Sequence, residues 1–370
     1  MRVVMLTGPD GPPRPADWGA AASRCADTVR VAVVPALTSA RHEELRGVGL
    51  DPGPPRRYEV AAARGVPGTV ARIVAALRHE GALGGPFDLL HVHRPGTDRY
   101  APRVAGELGV PFIVSDHDPR WYGHVGGREL RRAARLFAAA AAVLPVSDSL
   151  LLRLGDLGLP GHHRLLPVPL DEDALPAVPA RARITQDAVR VVAAGPLLAG
   201  CGWEELADAF AAAHAADPRL RLRVIGDGPH AGVLRARCSS AVDFAPDAGR
   251  AATLHALAHA DLCAHPHPAA GFGETALDAL ACGTQVVAAT TGALPELIAH
   301  DGGFLVPHHT PTDLTPALLE AAAHLPHHHP PSLAHRIRHT YGLPASAARL
   351  AAIYAEVSGR GQVPGRRSAG

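Results

Sequence analysis

Short apolar runs alternate with alanine-rich helical stretches along nearly the whole chain, and this rhythm constrains the fold more than any other feature. Residues 3–7, 30–36, 87–92, 110–114 and 142–146 read as strands. Residues 66–78, 99–108 and 130–141 between them carry helical periodicity. A stretch at 167–186, rich in Pro, Ala and charge, reads as a linker. A second series follows, with strands at 190–194, 220–226, 242–245, 261–265, 285–289 and 303–306. Its helices fall at 204–216, 230–238, 252–259, 274–281, 294–300 and 313–324, and a last amphipathic helix covers 345–357. Strand–helix alternation predicts parallel, doubly wound sheets, whose ligands collect at the carboxyl ends of the strands. The expected organisation is an N-terminal domain at 1–170, a linker at 171–188 and a C-terminal domain at 189–342. The helix 343–357 is expected to pack back on the first domain, ahead of a disordered tail at 358–370. A ligand is expected in a cleft between the two domains.

Composition narrows the function. The 370 residues have a formal net charge of +1, which argues against a nucleic-acid-binding surface. All 36 Lys+Arg residues are arginine, so no site can use a lysine ammonium. Five scattered cysteines form no CxxC pair, which points to small buried side chains rather than a disulfide framework or zinc ribbon. Of the 23 histidines, His308-His309 and His327-His328-His329 sit in Pro-rich connections without acidic or cysteine partners at fixed spacing, and read as surface histidines rather than metal ligands. The longest apolar run, 136–146, is shorter than the ~20 residues a membrane span requires. The expectation is a cytoplasmic protein without membrane contact. Arg128, Arg131, Arg132 and Arg135 form a basic helix face, read as solvated surface.

The most informative segment is Gly271-Phe272-Gly273-Glu274-Thr275-Ala276-Leu277-Asp278-Ala279-Leu280-Ala281-Cys282-Gly283. Glycines open a helix directly after a strand, where unpaired N–H groups and the positive dipole end suit a phosphate. Asp278 follows Glu274 by four residues, so the two carboxylates share a face. Alone, such a helix start is a weak signal. Its neighbours sharpen it: Val224-Ile225-Gly226-Asp227-Gly228-Pro229 is a strand ending in a tight turn, and Thr291-Gly292-Ala293-Leu294-Pro295-Glu296 is a second glycine loop entering a helix. Gly303-Phe304-Leu305-Val306-Pro307 follows.

Together these segments resemble the C-terminal half of the retaining GT-B glycosyltransferases of family GT4. That pattern comprises a GDGP turn, two carboxylates separated by seven residues, an ACG-x-PVV strand, a GG-x-PE loop and a G-x-LVP strand. Upstream, the Phe87–His93 strand, Gly109-Val110-Pro111 with its strand to His117, and Ala142–Ser147 are similar to the family's N-terminal motifs. The resemblance implies two Rossmann-like domains and transfer of a hexose or pentose from a UDP-, GDP- or dTDP-linked donor. It implies a small-molecule or natural-product acceptor, retained anomeric configuration, and neither a metal nor a cofactor. It implies catalytic roles for His117 and Asp278, and Glu274 is taken as a third catalytic candidate from the same helix. The donor would be held by Gly19, Gly195, Gly226, Asp227, Gly271, Phe272, Gly273, Glu274, Thr275, Asp278 and Glu296, and the acceptor by His93, Asp116 and Arg120.

Three segments depart from that pattern. The first carboxylate falls on Ala270, with Glu274 a candidate substitute from the next turn. The G-R-x4-K loop falls on residues 195–201, with Pro196 at the arginine position and Cys201 at the lysine position. Those two cations would neutralise the diphosphate as it leaves. Ala293 replaces the second glycine of its loop and would add a methyl group near the phosphate path. The departures leave two alternatives open: a weak or inactive homologue acting as a binding protein, and a transferase with an unusual donor such as a pentose.

Overall fold

The computed structural model describes residues 1–7, 15–26, 28–33, 56–59, 65–94, 97, 99–178, 188–247, 249–267, 271–299 and 301–359. Ala270, the tail beyond 359 and much of the expected linker lie outside the described residues. The chain forms two compact units, one of residues 1–171 and 341–370 and the other of residues 172–340.

Unit 1 holds strands β1 (Arg2–Thr7), β2 (Thr28–Val33), β3 (Arg56–Glu59), β4 (Leu89–Arg94), β5 (Phe112–Asp116) and β6 (Ala142–Pro145). They form one parallel sheet in the order β3-β2-β1-β4-β5-β6. Its helices are α1 (Pro15–Ser23), α2 (Gly65–Gly84), α3 (Ala101–Leu108), α4 (Gly127–Ala139) and α5 (Asp148–Asp156). The strand order reverses between β1 and β4, and such a switch point is where an open α/β sheet binds ligands. On α4, Ala133, Leu136 and Phe137 are buried while Arg128, Arg131, Arg132 and Arg135 face outward, the pattern a 3.6-residue period dictates.

Unit 2 repeats the plan. Strands β7 (Val189–Ala194), β8 (Leu220–Ile225), β9 (Val242–Ala245), β10 (Leu262–Ala264), β11 (Gln285–Ala289) and β12 (Gly303–Val306) are parallel, in the order β12-β11-β10-β7-β8-β9. Its switch point lies between β7 and β10. The helices are α6 (Trp203–Ala216), α7 (Ala231–Arg237), α8 (Arg250–Ala258), α9 (Glu274–Ala281), α10 (Leu294–Ile298), α11 (Pro311–His324) and α12 (Pro330–Tyr341). One side of the sheet buries Val191, Ala193, Leu222 and Val224 against Leu206 and Phe210 of α6 and Leu314 and Leu318 of α11. The other side of β8 leaves Arg221 and Arg223 exposed, so that strand alternates instead of running apolar throughout.

After unit 2 the chain returns to unit 1. Leu170 N–H donates to the Tyr341 carbonyl at 2.9 Å. The last helix, α13 (Leu343–Val357), packs on α1. Its Tyr354 is fully buried, and Glu356 pairs with Arg164 at 2.8 Å. Two parallel Rossmann-like units and a returning helix are the architecture that the alternation and the motifs imply. Among the described residues, no helix is long and apolar enough to cross a membrane.

Candidate functional site

Strand β4 reads Leu-Leu-His-Val-His-Arg, and all six residues are buried. Three polar side chains in a doubly covered strand need partners. His91 has two: Nδ1 lies 2.8 Å from the Tyr354 hydroxyl and Nε2 lies 2.8 Å from the Ser115 hydroxyl. Arg94 donates to Asp116 at 3.2 Å and to Glu129 at 3.2 Å, and its guanidinium sits 5.0 Å over the Trp121 ring. His93 differs, because both its ring nitrogens are buried without a hydrogen-bond partner. Its ring stacks on His91 at 4.4 Å, lies 6.1 Å from His117, and meets the edge of Trp18 at 5.1 Å. His117 Nε2 is likewise buried and unpaired. Burial pushes the His117 imidazole down to about 3; the pull of Asp118 the other way is smaller, and Arg94 lowers it further. Burial does the same to His91, pushed down to about 3. His93, buried beside His91 and His117, is held well below the usual histidine range. The ends of β4 and β5 therefore hold neutral imidazoles, and three of their ring nitrogens, His93 Nδ1, His93 Nε2 and His117 Nε2, are buried without a hydrogen-bond partner.

The other expected acceptor residues play different parts. Both oxygens of Asp116 are taken: Oδ1 accepts from Asp118 N–H at 3.1 Å, and Oδ2 accepts from Arg94 and from Trp121 Nε1 at 2.9 Å. Asp116 thus holds the strand ends together instead of facing a ligand. The Arg120 guanidinium is exposed but folds back on Asp118, with Nε donating to Oδ1 at 2.9 Å. Gly19 is among the residues the resemblance implies for the donor. It lies instead inside α1 and is buried, because residues 15–23 are already helical.

At the switch point of unit 2, the segment after β7 is bound to the turn after β8. Gly195 N–H donates to the Ile225 carbonyl and Leu197 N–H to the Asp227 carbonyl, both at 3.0 Å. Trp203 Nε1 donates to the Pro196 carbonyl at 2.9 Å. A methyl group on Gly226 would lie 2.0 Å from the Gly195 carbonyl oxygen, and one on Gly228 would lie 2.2 Å from that of Leu197. The two glycines are therefore demanded by close backbone approach. Asp227 accepts from Asp247 N–H at 2.9 Å, as a turn-forming residue does.

Helix α9 begins at Glu274, behind Gly273 with φ +83°. Gly271 is clamped to the next loop, since its carbonyl accepts from Ala293 N–H at 3.0 Å. The Ala293 methyl is fully buried. Phe272 is buried, and Thr275 Oγ1 reaches the Ala194 carbonyl at 3.5 Å, joining α9 to the end of β7. Asp278 lies one turn inward of Glu274, nearly buried, and accepts from Arg250 Nη2 at 3.3 Å. Arg250 opens α8 and was not anticipated, since a single arginine after a glycine carries no motif. Glu296 lies in the first turn of α10.

Three histidines also meet here. His265 and His267 follow β10, with rings 5.5 Å apart. His267 lies 6.2 Å from Trp203, edge to face. Its Nε2 would stand 2.9 Å from a methyl group on Gly195. His309, expected on the surface, is buried and donates from Nε2 to the Gly202 carbonyl at 2.9 Å. His328 is buried too, with Nε2 2.7 Å from the Gly283 carbonyl. Neither interior position was legible, because both lie in Pro-rich connections whose path only the packed structure sets. Among the described residues, no group of three His, Cys, Asp or Glu side chains is arranged to hold a metal ion.

Residues 188–324 match the model of the glycosyl transferases group 1 family. A GDP-mannose-dependent alpha-(1-6)-phosphatidylinositol dimannoside mannosyltransferase of Mycobacterium tuberculosis is 30% identical over 288 residues, covering 73% of this chain and 73% of its own. A D-inositol 3-phosphate glycosyltransferase of Kineococcus radiotolerans is 27% identical over 331 residues, covering 77% of this chain and 74% of its own. In fold, the chain is similar to the crystal structure of Anabaena Alr3699/HepE in complex with UDP and glucose, with a TM-score of 0.76 at 17% identity over 96% of this chain and 100% of the other. Sucrose-phosphate synthase from Thermosynechococcus elongatus is similar to the same degree, with a TM-score of 0.76 over 97% of this chain and 100% of that one. Motifs in order, two doubly wound units and a relative at that identity across most of both chains lead to one assignment: this protein belongs to the glycosyl transferases group 1 family.

Proposed function

We propose that this enzyme transfers a sugar from a nucleoside-diphosphate donor to a hydroxyl of a small polyhydroxylated acceptor, with retention of anomeric configuration. The anomeric C–O bond to the diphosphate breaks and the nucleoside diphosphate leaves. The acceptor oxygen then bonds to the anomeric carbon from the face the leaving group vacated, and its proton passes to the departing phosphate. Unit 2 takes the donor in this reading, with the N–H groups at the start of α9 facing phosphate and Glu274 and Asp278 facing sugar and ribose hydroxyls. The acceptor falls to unit 1, beside His93 and His117.

One observation carries the reading: a glycine-led helix start, with carboxylates four residues apart, follows a switch-point strand in a chain of this family. The two relatives whose names give an acceptor act on a phosphatidylinositol dimannoside and on D-inositol 3-phosphate, which makes inositol phosphates the first acceptors to try. A neutral His93 with two unpaired nitrogens suits a hydroxyl-rich ligand. In this reading no metal takes part, so a chelator leaves turnover unchanged. The test is a panel of UDP-, GDP- and dTDP-linked hexoses and pentoses, read by thermal shift and by donor hydrolysis. At least one donor raises the unfolding temperature; a panel with no response overturns the proposal.

A further inference from the structure

The loop at residues 195–202 reads Gly-Pro-Leu-Leu-Ala-Gly-Cys-Gly and carries no cation of its own. A diphosphate held there needs positive charge, because its two negative oxygens lose water on binding. Two arginines of unit 2 are already paired. Arg190 lies at the opposite end of β7, paired with Asp261 at 3.2 Å, and Arg250 is bonded to Asp278. What closes on the loop are imidazoles. His267 occupies the space beside Gly195, at the carboxyl end of the switch-point strand β10. His309 holds the other end through the Gly202 carbonyl, and its Nδ1 is buried with no partner. A side chain on Gly202 would displace both the Pro266 carbonyl, at 2.0 Å, and the His309 ring, at 2.6 Å. His265 Nδ1, in a residue only 3% exposed, is buried without a partner as well.

We propose that His267, backed by His309, is the cationic group of the donor site, taking up a proton as the diphosphate of the nucleotide sugar binds beside Gly195. The proposal rests on the reading of unit 2 as donor-binding. The groups facing the pair are His265 from the end of β10, Trp203 from the start of α6, and Glu205 of α6, which acts on His309. Burial and the neighbouring His309 keep His267 below the ordinary histidine range in the free protein, and burial holds His309 low despite Glu205. The resting cluster is therefore neutral near pH 7, and an anion arriving beside it favours the charged imidazole. Fixed arginine and lysine charges would bind a diphosphate at any pH. A histidine that charges only on binding couples affinity to proton concentration.

The experiment is isothermal titration calorimetry of the full chain with UDP-glucose, GDP-mannose and dTDP-glucose from pH 6 to 8.5. Two buffers of different ionisation enthalpy count the protons taken up. The diphosphate of a sugar nucleotide does not itself titrate in this range, so any linkage belongs to the protein. The expected result is proton uptake on binding and an affinity that weakens with rising pH, by up to about tenfold per unit for one proton. His267→Gln removes the uptake and weakens binding at pH 6 by about tenfold or more. His267→Arg restores affinity and makes it independent of pH. His309→Gln keeps a donor for the Gly202 carbonyl and reduces the uptake. Binding that is independent of pH, without proton uptake, overturns this proposal and leaves the donor reading intact. So does a His267→Gln protein that keeps the wild-type pH dependence. No binding of any of the three, or of the corresponding pentose-linked donors, at any pH overturns both.

Discussion

The junction between the loops after β7 and β8 sets up a test in which steric clash and backbone conformation are separated by three glycines. Gly200 has φ +74° with nothing within 4 Å of an added methyl group, so Gly200→Ala costs only the conformational penalty, about 1 kcal/mol. Gly228 has no left-handed backbone, yet a methyl there would lie 2.2 Å from the Leu197 carbonyl oxygen and 2.7 Å from its carbon. Backbone on both sides leaves no flexible atom to yield. The loops must part, which weakens the bonds from Leu197 N–H to Asp227 O and from His230 N–H to Leu197 O, each 3.0 Å. Two net hydrogen bonds at about 1 kcal/mol each, with the overpacking strain, put Gly228→Ala at about 3 kcal/mol. Gly226→Ala meets the Gly195 carbonyl oxygen at 2.0 Å and also has φ +154°, so it costs at least as much. Urea unfolding by circular dichroism gives the stabilities, and hydrogen exchange of the 195–202 amides locates the damage. The expected order is Gly200→Ala well below Gly228→Ala and Gly226→Ala, with faster exchange in the loop for the latter two alone. If Gly200→Ala proves as damaging as Gly226→Ala, close approach does not explain these glycines.

Burial pushes His91, His117 and His265 down to about 3, whereas an unfolded imidazole titrates near 6.5. Their contribution is full above pH 6.5 and is lost as the pH falls toward 3, because only the unfolded chain then binds the protons. Stability drops by on the order of 1 kcal/mol per pH unit per histidine, measurable as urea midpoints at pH 7, 5.5 and 4.5; constant midpoints would count against neutral buried rings. Tyr354→Phe strips His91 Nδ1 of its 2.8 Å partner inside the core, costs about 1–3 kcal/mol in the same assay, and loosens α13 first in hydrogen exchange. Glu274→Gln and Asp278→Asn each lower turnover at saturating donor by about tenfold or more while the fold survives, and wild-type rates in both would remove these carboxylates from the site.

Much of this architecture was legible from period and punctuation. Strand β9 spans Val242–Ala245, the bounds expected from the sequence, and α6 and α9 begin where glycine meets acidic residues. Helix α12 was not anticipated. Prolines and histidines at 326–331 read as connection, yet Pro330 and Pro331 occupy a first turn that needs no N–H, and Leu333, Ala334 and Ile337 then bury one face. Helix α5 escaped for lack of length, although Ser147 caps it by accepting from Leu150 N–H at 3.0 Å. In the candidate sites, motif order located α9, Asp278 and His93. It could not foresee the Arg250–Asp278 pair or the approach of His309 to Gly202, which join residues 28 and 107 positions apart. Such pairings are decided by packing, and neither partner's local sequence records them. Asp116 misled for the opposite reason: a carboxylate at a strand end looks functional until Arg94 and Trp121 are seen to use it.

Unit 1 is made of two separated stretches of chain, and this has a consequence for synthesis. Residues 172–340 form a contiguous unit that has all its strands and most of its helices once position 340 has left the ribosome. Unit 1 has its six strands complete at Pro145, nearly 200 residues earlier, yet α1 waits for α13 and His91 waits for Tyr354. At ordinary elongation rates that wait lasts roughly 10–40 s. Throughout it, the first-made half carries an uncovered apolar helix face and a buried imidazole short of a partner. The order of completion therefore inverts the order of synthesis: the second unit closes first, and the final helix closes the first.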